Sequence, residues 1–330
     1  MKLKKRVFKG LFFMFFVPVA FTLSACSGGL FSGSGDVEED REIKTEVTSE
    51  LPIISGSLAD SQKLLDILLS KTNTEVPTKY ILYISGIDLW GDVSTVSRSD
   101  VNLLVAVNRE NGKIALVNTP RDSYVKLPQS GGTRDKLTHA GLYGIDCSKG
   151  ALENLYGIKI DYYLRLNFTG FCKFIDALGG IDVYSEQDFE VVPIKKYKKG
   201  INHLSGIESL AFVRERKSFG DGDYQRGRHQ MQMAKALVGR LASFGNFSDF
   251  EKYLQEIEGN YETDMPDTMI KGTAEMEFLS PVDWKIEAYT TMGTGSYQTT
   301  YSIPSQALYV TDLNNSSVDE AAALLKNTMK

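Results

Sequence analysis

Two short clusters carry residue types suited to phosphate and metal chemistry. Arg98-Ser99-Asp100 stands immediately before a strand-like run at residues 101–107. Pro120-Arg121-Asp122 stands immediately after a second run at 113–118. Glu110-Asn111-Gly112 lies between the runs, and Asn-Gly between strand-like segments is a strong hairpin signal. Antiparallel partners place the start of one strand beside the end of the other. Asp100 and Asp122 are therefore expected at one rim of a sheet, with Arg98 and Arg121 beside them. Two adjacent carboxylates repel unless a cation lies between them or one is protonated. A hard divalent ion such as Mg²⁺ suits that role. The same spacing also suits two surface salt bridges at loop ends.

A third cluster is basic. Arg214, Arg216, Arg226 and Arg228 fall within fifteen residues and flank Gly220-Asp221-Gly222-Asp223. They follow a predicted helix at 205–212 and enter the next, at 225–243. Arginine recognises phosphate oxygens in planar, bidentate fashion, and helix starts add N–H donors. The alternative is a charged face balanced by Glu208, Glu215, Asp221 and Asp223. Arg134-Asp135-Lys136 adds another basic pair before a predicted helix at 137–143.

These residues need elements to position them. Residues 80–87 read as a buried strand and 148–156 as a short helix. A strand is expected at 161–167, a helix at 168–178 and a strand at 181–184. Gly179-Gly180 stops that helix. Residues 249–280 look helical. A strand near 285–291 and a helix at 317–329 close the chain. Lys195-Lys196-Tyr197-Lys198-Lys199 reads as a solvated loop, His139 as a local hydrogen-bonding group and His203 as surface. The alternation predicts one α/β domain over residues 79–330, with a mixed central sheet covered by helices.

The chain has 330 residues, 42% hydrophobic and 24% charged, so a sizeable core is expected. Three cysteines and three histidines are too few for the common zinc cages. The net charge of −5 argues against gripping nucleic acid.

Lys2, Lys4, Lys5, Arg6 and Lys9 precede an apolar run at 11–23, interrupted by Pro18, and no acid appears before Asp36. The run is short for a spanning helix and has the shape of an export signal. Leu23-Ser24-Ala25-Cys26 resembles a bacterial lipobox, which implies that Cys26 is lipidated and residues 1–25 removed. An ordinary cleaved signal and an uncleaved anchor are the alternatives. Every reading puts the remainder outside the cytoplasm, and the lipobox and uncleaved-anchor readings hold it to the outer face of the membrane by its amino terminus. Loss of residues 1–25 removes five positive charges and no negative one, leaving −10. Residues 26–78 are Gly/Ser-rich, then acidic, and read as a flexible tether. Cys147 and Cys172 remain, as a disulfide or as two packed thiols.

The ordered series is longer than these clusters. It runs SRSDVNLLVAVN, NTPRDSYVKL, DKLTHA, YGIKIDYYLRLNFTGF, DALGGIDV, LAFVRER and DYQRGRHQ. In this it resembles the LytR–CpsA–Psr family of bacterial cell-envelope proteins, from about residue 80 to residue 243. The resemblance implies an extracytoplasmic phosphotransferase. Its donor would be a glycopolymer, a wall teichoic acid or capsular polysaccharide, on undecaprenyl pyrophosphate. Its acceptor would be a peptidoglycan hydroxyl, joined through a phosphodiester. It implies Mg²⁺ at the pyrophosphate and an apolar cavity between sheet and helices for the prenyl chain. Matched by motif, Asp100 and Asp122 are the metal-associated aspartates. Arg121, Lys136, Arg214, Arg216 and Arg226 match phosphate-contacting positions, with Arg98 and Arg228 beside them and Gln230 ending the last motif. Many members carry arginine where this chain has His229, with Arg228 one place earlier. Such a site neutralises a diphosphate so that an alcohol can attack phosphorus. Arg121 would act at the reacting group, and Asp100 or Asp122 as general base. Hydrolysis of the same lipid, or a solute-binding lipoprotein, are the rival readings.

Overall fold

The computed structural model describes residues 76–220, 222–241 and 247–330. The export signal, Cys26 and all but the last three residues of the tether lie outside the described residues.

β1 (Lys79–Ile87) is the middle of the sheet and is buried on both faces. Tyr80, Leu82 and Ile84 join the apolar cluster on one side, Ile81 and Tyr83 the cluster on the other. This is the two-residue period of a strand with protein above and below it. β2 (Ser99–Asn108) pairs antiparallel with β1 and with β3 (Lys113–Asn118). β6 (Tyr162–Leu166) runs parallel to β1, and β12 (Lys285–Thr290) parallel to β3. β11 (Tyr261–Thr263) pairs antiparallel with β6, so the mixed six-stranded order is β11-β6-β1-β2-β3-β12.

Four helices contribute to the cluster on the first face: α3 (Phe168–Ala177), α5 (Gly222–Leu241), α6 (Phe247–Ile257) and α7 (Asp267–Leu279). The other face packs against α2 (Ile145–Tyr156) and α8 (Asn315–Thr328). A satellite core sits under α4 (Gly206–Arg214), with β7 (Ile181–Ser185) paired to β10 (Gly200–Leu204) and β8 (Phe189–Val191) paired to β9 (Lys195–Tyr197). The expected α/β architecture is the observed one. Gly179 and Gly180, at φ 75° and 89°, end the turn after α3 as expected.

Two expectations need correction. Residues 249–280 are two helices with β11 between them. Gly259 takes φ 72°, which breaks the helix, and Tyr261-Glu262-Thr263 then completes the free edge of β6. Residues 195–199 are not all a solvated loop. Tyr197 is buried in β9, stacked on Phe189 with ring centres 4.4 Å apart, and its hydroxyl donates to the Glu208 carbonyl at 2.6 Å. Arg134-Asp135-Lys136 forms β5 (Arg134–Lys136), paired with β4 (Tyr124–Lys126), and α1 (Leu137–Ala140) follows directly. A hairpin of β13 (Gly293–Thr299) and β14 (Ala307–Leu313) was not foreseen.

Cys147 and Cys172 are free thiols. Cys147 belongs to the core under α2 and α8, and Cys172 packs against the satellite core. His139 bonds Asp135 through Nδ1 at 2.6 Å, and exposed His203 pairs with Asp182.

Candidate active site

The register of β2 and β3 pairs Leu103 with Asn118, so three steps further residue 100 comes opposite residue 121. Arg121 Nη1 donates to Asp100 Oδ2 at 2.8 Å, and Arg121 Nε lies 3.6 Å from Asp122 Oδ2. Lys136 Nζ donates to Asp122 Oδ1 at 2.9 Å. The Thr138 hydroxyl donates to Asp100 Oδ1 at 3.2 Å, and its N–H holds the Arg121 carbonyl at 2.8 Å. The rim thus carries a row of alternating charge, Asp100, Arg121, Asp122, Lys136. The cation that reconciles the two carboxylates here is the Arg121 guanidinium. Asp122 is only 7% exposed, closed in by Arg121 and Lys136.

A second group forms one strand away. Asp88 follows the last residue of β1. Its Oδ2 lies 3.9 Å from Arg98 Nη2, and its Oδ1 lies 3.5 Å from Arg214 Nη2. Arg214, the last residue of α4, sets its guanidinium 4.3 Å from the centre of the Phe168 ring, a cation–π seat. Asn167 caps α3 by accepting from the Gly170 N–H, and its side-chain amide donates to the Gly91 carbonyl. The 88–98 loop is thereby tied to the start of α3.

Both groups open on one cavity of about 380 Å³ between the sheet and helices α3, α4 and α5. Ile84 and Leu103, a cross-strand pair, line it with Val101, Phe171, Phe174 and Leu237. Asp88, Arg98, Asp100, Arg121, Arg214, Arg216 and Arg226 line it as well. Asp88, Asp100 and Arg121 sit at strand ends, and the apolar pair lies three to four residues further into the same strands. Five arginines against two aspartates leave the charged end anion-seeking. Arg226 is only 6% exposed, and with Asp100, Arg121 and Gln230 it also lines a second, small depression that reaches Thr290.

Nine of the predicted positions are therefore gathered at this rim or beside it: Arg98, Asp100, Arg121, Asp122, Lys136, Arg214, Arg216, Arg226 and Gln230. Asp122 and Lys136 stand behind Arg121 and do not line the cavity. Arg228 is not brought in. Its Nε donates to Gln225 Oε1 at 2.8 Å and lies 4.0 Å from Glu186, away from the cavity lining. His229 is a core residue. Its ring stacks on Phe212 at 4.2 Å, Nδ1 donates to the Phe212 carbonyl, and Nε2 accepts from Gln225. Sequence reasoning missed Asp88, Thr138 and Phe168. An acid directly after the first buried strand was the available signal for Asp88.

Residues 46–321 match the model of the LytR_cpsA_psr family. The chain belongs to the LytR–CpsA–Psr family. It is 34% identical over 169 residues to the polyisoprenyl-teichoic acid–peptidoglycan teichoic acid transferase TagU of Bacillus mycoides (strain KBAB4), covering 51% of this chain and 55% of TagU. It is 32% identical over 183 residues to the enzyme of the same description, TagT, of Bacillus subtilis (strain 168), covering 53% and 56%. The chain spans about half the length of these curated relatives. Among solved LytR–CpsA–Psr structures, B. subtilis TagV superposes with a TM-score of 0.66 at 26% identity, over 78% of this chain and 98% of TagV. TagT bound to LIIa-WTA superposes with a TM-score of 0.59 at 26% identity, over 76% and 91%.

Proposed function

We propose that this LytR–CpsA–Psr protein transfers a teichoic-acid-type or related glycopolymer from a polyisoprenyl diphosphate carrier to peptidoglycan. One observation carries the reading: a single cavity is apolar in its depth and ringed by arginines at the strand ends. That polarity complements a lipid with a diphosphate head. The names of the relatives, and a TagT structure titled as bound to LIIa-WTA, support the same substrate class.

In the transfer, an acceptor hydroxyl attacks the phosphorus on the glycopolymer side of the diphosphate. A phosphodiester forms, the P–O–P bridge breaks, and polyisoprenyl phosphate leaves. Arg121, Arg214, Arg216 and Arg226 neutralise the diphosphate where charge develops. Asp100, the carboxylate that faces the cavity beside Arg121, takes the acceptor's proton. Asp122 holds Arg121 and Lys136 in place from behind.

Mg²⁺ fits this donor set. The carboxylates that line the cavity are those of Asp88 and Asp100, both hard oxygen donors. Among the described residues no group of three or more Asp, Glu, His or Cys side chains gathers, so most ligands would come from phosphate and water. Asp100 with Asp88, in place of the Asp100 and Asp122 expected from the sequence, would hold the ion, because Asp122 is taken up by Arg121 and Lys136; when bound, the ion would add to the charge neutralisation.

Full-length protein in detergent, supplied with a polyisoprenyl-diphosphate glycan and peptidoglycan fragments, tests the reading. The glycan is expected to become covalently attached to peptidoglycan while polyisoprenyl phosphate is released. Equal release without peptidoglycan would identify a hydrolase. No turnover under either condition would sink both.

The place of work follows from the substrates: the outer face of the membrane. No helix among the described residues is long and apolar enough to cross a membrane. We propose that Cys26 carries the lipid anchor. The intact mass of membrane-extracted protein should show loss of residues 1–25 and an acylated Cys26; a mass that retains Met1 or Lys2 with Cys26 unmodified contradicts it.

A further inference from the structure

The β13–β14 hairpin has a composition unlike the rest of the chain. From Ala288 to Thr311 there is no Lys, Arg, Asp or Glu, although 24% of all residues are charged. Thr, Ser, Gly, Gln and Tyr dominate instead. Tyr297 and Tyr309 are direct cross-strand partners, so their rings share one face. The rings meet edge to face, with centres 5.9 Å apart. Val310, on the opposite face, is fully buried, which turns the tyrosine face outward. Tyr297 is 72% exposed and Tyr309 45%. Tyr309 lies across Gly295, where a Cβ would come within 2.7 Å of the ring. The missing side chain lets that ring rest on the strand backbone. A second exposed pair, Tyr143 and Tyr301, stands at the hairpin turn, with ring centres 5.9 Å apart.

The hairpin is joined to the candidate active site. The Thr311 N–H donates to the Asp122 carbonyl at 2.8 Å, and Thr311 also bridges Ser123. The small depression shared by Asp100, Arg121, Arg226 and Gln230 reaches Thr290, three residues before β13 begins. The hairpin thus begins three residues from a wall of the depression beside the charged centre and is bonded to the backbone of Asp122.

We propose that the β13–β14 hairpin is the docking platform for the glycan strand of the peptidoglycan acceptor. A pyranose ring has an apolar C–H face and a hydroxyl and amide edge. Exposed tyrosines offer rigid apolar faces with a hydrogen-bonding tip, at low entropic cost. The surrounding Thr, Ser and Gln supply neutral donors and acceptors. Asp312, the one charged residue of the two strands, shares the face of Val310 and accepts from Ser296, so the tyrosine face itself holds no charge to attract the phosphates of the donor polymer, which the arginines serve. The inference rests on the transferase reading for the identity of the glycan, but it is tested by binding alone.

The test is co-sedimentation of full-length protein in detergent with purified peptidoglycan stripped of teichoic acid. Tyr297→Ser with Tyr309→Ser should weaken retention by at least about tenfold, equivalent to about 1.4 kcal/mol. Tyr297→Phe with Tyr309→Phe should restore most of it. Binding of the polyisoprenyl-diphosphate glycan by the same variants should be unchanged. Tyr297→Ser alone, at the most exposed ring, serves where the double variant has an altered thermal midpoint. Undiminished retention of the serine variants overturns the platform, as does a wild-type protein that does not sediment with peptidoglycan. A serine variant that loses only the anionic donor also overturns it. Loss of peptidoglycan binding in a protein that shows no transfer would keep the platform and remove the transferase reading.

Discussion

Arg121→Lys is expected to slow glycopolymer transfer by about a hundredfold or more. Arg121 uses two guanidinium nitrogens at once, Nη1 on Asp100 and Nε beside Asp122. A lysine keeps the charge but is a single point donor, so it cannot hold both carboxylates and still face the cavity. Arg226→Lys should behave alike, because Arg226 is buried and lines both the cavity and the depression beside it. Loss of one charged hydrogen bond to a developing phosphate charge costs about 2–4 kcal/mol of transition-state stabilisation. Arg214→Lys and Arg216→Lys, at the exposed margin, should lose less. Arg228→Lys is the control within the same cluster and should stay within a few-fold of wild type, since Arg228 turns toward Glu186. Single-turnover rates across this series decide the matter. Near wild-type rates for Arg121→Lys and Arg226→Lys would reduce the cluster to a solvated basic face.

The two aspartates are expected to fail differently. Asp100→Ala should abolish Mg²⁺-dependent transfer with little change in thermal midpoint. Its carboxylate lines the cavity, and Arg121 keeps Asp122 as a partner. Asp122→Ala should lose activity and stability together. It removes a buried carboxylate from between Arg121 and Lys136, leaving the lysine without its 2.9 Å acceptor. Leaving a buried charged donor unpaired costs about 2 kcal/mol. Thermal unfolding of both variants, measured beside their transfer rates, separates the two roles. Equal midpoints for both would show that Asp122 does not brace the site. Retained Mg²⁺-dependent transfer in Asp100→Ala would remove Asp100 from the chemistry.

Much of this was legible because it is local. A two-residue apolar period, Asn111-Gly112 and the Gly179-Gly180 stop specify strands, a hairpin and a helix end through steric rules that act over a few residues. The hairpin in turn carries Asp100 and Arg121 to one rim, since antiparallel pairing leaves no freedom there. The error over 249–280 has the same root. Apolar residues continue at helical spacing on both sides of Gly259, while the edge of β6 that claims Tyr261–Thr263 lies nearly a hundred residues away in sequence.

From its sequence alone, the chain shows its α/β class, its membership in an ordered motif series, and which residue types meet at the rim of the sheet. Which of those residues face substrate was decided by tertiary structure. Asp122 and Asp100 look equivalent in sequence, yet Lys136 from β5 closes Asp122 in while Asp100 stays on the cavity. Arg226 and Arg228 differ by two positions on one helix. A two-residue step on a helix turns the side chain by more than half a revolution, so one enters the cavity and the other meets Glu186. Asp88 gained its place only when α4 brought Arg214 to it. The tyrosine hairpin has too little apolar alternation to announce itself, because its outward face is exposed and its strands are held by pairing and by Thr311 against Asp122.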